Sequence, residues 1–166
     1  MSQNIALLIT GCYADLYASM KALQVAGRTD AHMHVLQMTE DQADCASRRK
    51  KMQPHEVSDL IGLIAWLAEI ERIGITFHVL GKEPDREIVE FLRRHDITCL
   101  VAGAYDRKSL QQRNDWLQTL QKQLGADKLW FQRSFQVLVT LPWDDVPFNR
   151  ALQQLGYPKT QARRYK

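Results

Sequence analysis

One stretch constrains the fold more than any other: Ile97-Thr98-Cys99-Leu100-Val101-Ala102-Gly103-Ala104-Tyr105-Asp106-Arg107. It begins as an apolar run rich in β-branched residues, breaks at a glycine and passes into a basic segment with helical character. A short run of this kind suits a parallel strand buried on both faces. Gly103 closes that strand, and a glycine there allows a tight turn or a close backbone approach. In open α/β sheets, ligands bind beyond the carboxyl ends of strands, where the strand order reverses. Gly103 is therefore either a wall of such a site or only the turn into the next helix.

The rest of the chain alternates around this strand. Ile5-Ala6-Leu7-Leu8-Ile9, ending in Thr10-Gly11, reads as a buried first strand. Asp15 caps a helix in which Leu16, Met20 and Leu23 share a face, and Gly27 is placed to end it. His32 to Met38 forms the second strand. Thr39 to Gln53 is polar, carries Ser47-Arg48-Arg49-Lys50-Lys51, and reads as a long loop with its basic run solvated. Pro54 lies near the start of the strongest helical pattern, with Val57, Leu60, Ile61, Leu63, Ile64, Leu67 and Ile70 on one wide face and Gly74 to end it. Ile75 to Leu80 is the third strand. Pro84 opens a helix carrying Ile88, Phe91 and Leu92, which leads into the strand already described. Leu110, Leu117, Leu120 and Leu124 mark a fourth helix, closed by Gly125. Phe135 to Leu141 is the last strand, after which Pro142 and Pro147 break the chain. Such alternation predicts a three-layer, doubly wound α/β fold with a parallel sheet and right-handed crossovers. Residues 1–141 are expected to form this domain, and 142–166 a C-terminal extension.

At 166 residues the chain is most simply one domain. A net charge of +3 is too weak to indicate nucleic acid as the partner. No run approaches the roughly 18 apolar residues of a membrane helix, so no membrane partner is expected. Cys12, Cys45 and Cys99 are odd in number and lack C-x-x-C spacing. That pattern favours a reducing compartment over a disulfide framework or a zinc site. The first residues lack the basic region of a signal peptide. The expected location is the cytoplasm.

Residues with chemical potential are sparse. His32 and His34 share one face of a strand, a spacing that suits metal ligation, yet no third ligand stands near them in the sequence and no metal site is expected. Cys12, just beyond the first strand, is either a thiol activated by the following helix or a small buried residue. Trp66 and Trp116 read as packing residues. No nucleophile elbow, His-Glu-x-x-His or Walker loop is present, so no catalytic residue is assigned.

Several segments resemble the universal stress protein family. Asn4-Ile5-Ala6-Leu7-Leu8-Ile9-Thr10-Gly11 is similar to its first strand, which usually ends in Asp-Gly-Ser. Asp96-Ile97-Thr98-Cys99-Leu100-Val101-Ala102-Gly103, preceded by an amphipathic helix from Pro84, resembles its Asp-Ile/Leu-Ile/Val-Val-x-Gly pattern. Asp127-Lys128-Leu129 followed by Phe135-Gln136-Val137-Leu138-Val139 resembles the approach to its fifth strand. The resemblance implies a five-stranded sheet of order 3-2-1-4-5 and a dimer.

Two departures bear on ligands. ATP-binding members carry an acid where this chain has Thr10, and a Gly-x2-Gly-x9-Gly-Ser/Thr motif where Gly103-Ala104-Tyr105 runs into Asp106. Those glycines let backbone N–H groups approach phosphates, and Asp106 adds a negative charge there. Tight ATP binding is therefore not expected. The candidate ligand-binding residues are Thr10, Gly11, Cys12 and Met38 on one side, with Gly103, Ala104 and Tyr105 on the other. Arg107 and Lys108 are the cations available for phosphate.

The resulting expectation is a non-catalytic module of the stress response, without a cofactor, acting through dimerisation and binding of a partner or small ligand. An alternative is a nucleotide (ATP or AMP) in the crevice between strands one and four; a further one is an enzyme of a related nucleotide-binding fold. In the implied order the last strand is an uninterrupted apolar edge, which invites pairing with a second copy. Phe135, Val137, Val139 and Leu141 would form that homodimer interface, with Trp143 and Phe148 as anchors. Alternatively, the tail folds back over its own edge.

Overall fold

The structure is a computed structural model that describes residues 3–39, 51–104, 107–124 and 136–140. Five strands alternate with four helices: β1 Asn4–Ile9, α1 Asp15–Thr29, β2 His32–Gln37, α2 Pro54–Ile70, β3 Ile75–Val79, α3 Pro84–Arg94, β4 Ile97–Gly103, α4 Arg107–Leu124 and β5 Gln136–Thr140. All the pairings are parallel, in the order β3-β2-β1-β4-β5. The expected doubly wound fold and strand order are therefore those observed. Tyr105, Asp106, Gly125, Phe135, Leu141, Trp143 and Phe148 lie outside the described residues, as do Cys45, Arg48 and the extension 142–166.

The pleat sorts β1 between two cores. Ile5, Leu7 and Ile9 face α1 and α2, whereas Ala6 and Leu8 face α3 and α4. Leu60 and Ile64 seal the first layer; Ile88, Leu92, Leu117 and Leu120 seal the second. Each such fully buried aliphatic side chain contributes about 1.5–3 kcal/mol. Because both faces are covered, β1 and β4 read as apolar runs without alternation.

Four local readings need correction. Gly74 does not end α2, which stops at Ile70 with Glu71 as its C-cap. Gly27 does not end α1; the helix continues to Thr29 and stops at Asp30, whose φ of 52° is left-handed. Ile70 is 55% exposed, because only Leu60, Ile64 and Ala68 of α2 are fully buried and the apolar face is narrower than its sequence suggests. Trp66 is 51% exposed rather than packed in the core. Trp116, by contrast, packs against the α3–α4 layer, and its Nε1 donates to Asp85 Oδ1 at 2.8 Å.

Candidate functional site

The parallel order brings the carboxyl ends of β1, β2 and β3 to one edge of the sheet. What shapes that edge is the turn from β1 into α1. Gly11 there has a φ of 82°, a left-handed backbone that glycine tolerates best. The Asp15 carboxylate reaches back into the turn. Its Oδ2 accepts from the backbone N–H groups of Thr10 (2.9 Å), Gly11 (2.8 Å) and Cys12 (3.2 Å), and its Oδ1 accepts from the Thr10 hydroxyl (2.9 Å). Asp15 is the first residue of the helix, so its role is to fix the preceding turn. Burial pushes its carboxyl up to about 6; the Thr10 and Gly11 hydrogen bonds and the charge of Arg113 oppose that rise.

A second strap closes the edge from the loop side. Lys51 bridges Cys12 in antiparallel fashion, and the N–H of Met52 donates to the carbonyl of Gly11 at 2.7 Å. At the start of α2, Glu56 Oε1 accepts from the Gln53 N–H at 3.0 Å, and the Glu56 carboxylate also accepts from the Tyr13 hydroxyl at 2.8 Å. Tyr13 thereby ties α2 to the β1–α1 turn. On the other side, the Met38 N–H donates to the Ile9 carbonyl at 2.9 Å.

Between these straps lies a cavity of about 340 Å³. Thr10 and Gly11 come from the end of β1, Gln37 and Met38 from β2, and Val79 from β3; Lys51 and Met52 belong to the strap, and Pro54, Val57 and Ser58 to the first turns of α2. Thr39 completes the polar side. The volume lies at the lower end of the roughly 300–1,000 Å³ typical of small-molecule sites. Met38, Met52, Val57 and Val79 offer an apolar surface, while Thr10, Gln37, Thr39 and Ser58 supply hydrogen-bonding groups.

The sequence candidates separate spatially. Thr10, Gly11 and Met38 line this cavity. Gly103 and Ala104 are buried beside α1 and are not among its lining residues. A Cβ on Gly103 would stand 2.3 Å from the Ala14 carbonyl oxygen, so the close approach that this glycine permits is to α1. The Ala104 N–H donates to the Thr140 carbonyl at 2.9 Å. Lys108 is exposed on α4; Arg107 begins that helix, and its backbone alone is described.

Cys12 needs a correction: it is neither a free thiol nor an ordinary buried cysteine, but disulfide-bonded. The odd cysteine count and the lack of C-x-x-C spacing point away from a disulfide, and that expectation is corrected with it. Cys99 is the free cysteine among the described residues, and burial pushes its thiol up to about 11. Sequence reasoning also missed Gln37, Ser58 and Val79. The signal was available: parallel order places the ends of strands two and three beside the end of strand one.

No protein-family model and no curated protein matches this sequence. Solved structures do. A universal stress protein in complex with cAMP is 17% identical with a TM-score of 0.52; the match covers 83% of this chain and 96% of that one. A universal stress protein from Lactobacillus plantarum is 16% identical with a TM-score of 0.50, over 82% of this chain and 96% of its own. Strand order, helix placement and the near-complete coverage of both relatives agree: this chain has the fold of the universal stress proteins.

Proposed function

We propose that the chain is a non-catalytic module of the stress response that binds a small ligand in the cavity at the ends of β1, β2 and β3. The observation that carries this reading is the cavity itself, floored by the Asp15-pinned turn and closed by the strap at Lys51–Met52. The Asp15 carboxylate is engaged by four donors and does not serve as an acid or base for a substrate. The role calls for no cofactor.

A second reading, a nucleoside monophosphate, is favoured by a specific comparison: a protein of the same fold was solved with cAMP. Apolar side chains suit a base, hydroxyl and amide groups suit a sugar, and Lys51 suits one phosphate. A triphosphate would need the glycine cradle that this sequence lacks beyond Gly103. Calorimetry with adenosine, AMP, cAMP and ATP–Mg tests both readings. Monophosphates are expected to bind more tightly than ATP, and Val57→Trp, which fills the cavity, should abolish binding. An ATP dissociation constant of about 1 μM or tighter, about −8 kcal/mol, contradicts the proposal.

Dimerisation is the second part of the proposal. β5 stands at the edge of the sheet, and Val137 and Val139 are half-buried against the α3–α4 layer. Pairing of this edge with its own copy across a two-fold axis would satisfy its outward backbone groups. Light scattering at micromolar concentration should give twice the 19.2 kDa chain mass. A chain that stays monomeric at high concentration removes the dimer from the reading.

A further inference from the structure

Four of the five histidines, drawn from β2, β3 and the end of α3, meet on the α3 face of the β2–β3 edge. Ring centroids are 4.7 Å apart for His32–His34, 5.5 Å for His34–His78, 5.0 Å for His34–His95 and 5.9 Å for His78–His95. Phe91 fills the space among them, stacked on His95 at 4.1 Å and edge-on to His78 at 4.5 Å. His34 is only 8% exposed. Its Nδ1 lies 3.3 Å from Nε2 of His78, a contact that holds while one hydrogen sits between the two nitrogens. If both rings become imidazolium, two N–H groups face each other and the contact is lost. Among the described residues, no three His, Cys, Asp or Glu side chains converge as metal ligands.

We propose that the His34–His78 contact at the centre of this histidine cluster is a proton sensor that holds β3 and the last turn of α3 to the sheet while the two rings are neutral and releases them on acidification. The charges that act on His34 are those of His32, His95 and His78, and on His78 those of His95 and His32. On α3, Glu87 accepts from the Gly81 N–H, Glu90 pairs with Arg86, and the last turn adds two cations, Arg93 and Arg94. Asp96 follows His95 but is exposed. On β1, the residues facing this layer are Ala6 and Leu8, and the Asn4 side-chain amide donates to the His95 carbonyl at 2.9 Å. On β3, Thr76 contacts His32 Nε2 at 2.7 Å and carries no charge.

The direction of the response follows. Burial, then the neighbouring imidazoles, push His34 down from 6.5 to about 4, and burial with His95 and His32 lowers His78. A ring whose folded value lies below its unfolded one favours the folded state above the unfolded value and loses that contribution as pH falls toward the folded value. β3 is the element that yields, since it is a five-residue edge strand paired only with β2. Gln37 and Val79, the last residues of the two strands, also line the cavity, so ligand affinity should fall with pH. That corollary rests on the ligand-binding reading; the test below does not.

Amide hydrogen exchange of the full chain at pH 7.5 and 5.0, corrected for intrinsic rates, reads the effect without any ligand. Opening of β3 and the α3 C-terminal turn should increase between about 5-fold and about 30-fold at pH 5.0, the upper figure being that of His34 alone without solvent screening. In the His34→Gln, His78→Gln double variant the increase should vanish. Unchanged exchange in the wild type, or the same increase in the double variant, overturns the proposal. Imidazole resonances of the wild type give a readout independent of that variant's folding: His34 titrating well below 6.5 supports the cluster, and titration at 6.5 overturns it.

Discussion

Replacing Asp15 with Ala should destabilise the protein by about 3–5 kcal/mol, read as a shift of the urea midpoint at constant slope. The substitution strips the β1–α1 turn of its acceptor and leaves three backbone N–H groups and the Thr10 hydroxyl unpaired. Each buried orphan donor costs about 1–3 kcal/mol, reduced where water from the neighbouring cavity can reach it. Asn at this position keeps one acceptor oxygen and should lose about half as much. The pH profile carries a second signature. Asp15 is raised from 3.8 to about 6, so the folded state holds its proton more tightly, and stability falls by about 3 kcal/mol as pH rises through that interval. His34 contributes the opposite slope over nearly the same interval. Wild-type stability should therefore be nearly flat between pH 4 and 6, while Asp15→Asn should lose stability on acidification as the histidine slope is exposed. A profile for Asp15→Asn that parallels the wild type contradicts the assignment.

Gly103→Ala should cost about 3 kcal/mol or more, whereas the same change at Gly62 should stabilise by about 0.5–1 kcal/mol. At Gly103 the new Cβ would meet the Ala14 carbonyl oxygen at 2.3 Å and its carbon at 2.7 Å. Both are backbone atoms at the start of α1, opposite a central strand, and neither can rotate away. The helix must shift, taking with it Asp15 and the floor of the cavity, so ligand binding should weaken along with stability. Gly62 lies exposed in α2 with nothing within 4 Å of an added Cβ, and Ala there gains helix propensity. Thermal denaturation of the two variants side by side checks the contrast; equal effects would show that β4 and α1 are not in such close contact.

The strands and helices were legible because each carries its own signal. Buried runs such as Leu7–Ile9 and Leu100–Ala102 cannot avoid a sheet covered on both faces, and Pro54 and Pro84 mark helix starts. Thr10, Gly11 and Met38 were legible as neighbours around one cavity because a parallel sheet gathers the ends of its strands on one edge. Other features depend on pairings that no local pattern encodes. Gly103 carries the same signal whether it approaches a ligand or a helix, and only the packing of Ala14 decides between them. The histidine cluster needs the β2–β3 register, which sets His34 opposite Thr76 and Leu36 opposite His78, and then the arrival of His95 at the end of α3. Asp15 advertises a helix start, yet its hold on Thr10, Gly11 and Cys12 depends on the left-handed Gly11 that turns those N–H groups inward.

Ligand binding at the ends of β1, β2 and β3 is tested most directly by amide NMR of the isotope-labelled chain titrated with AMP and with cAMP. The predicted result is a saturable set of shift changes centred on Thr10, Gly11, Met38, Ser58 and Val79, the residues that surround the cavity. Changes confined to Gly103, Ala104 and Lys108, or none at millimolar ligand, would contradict it.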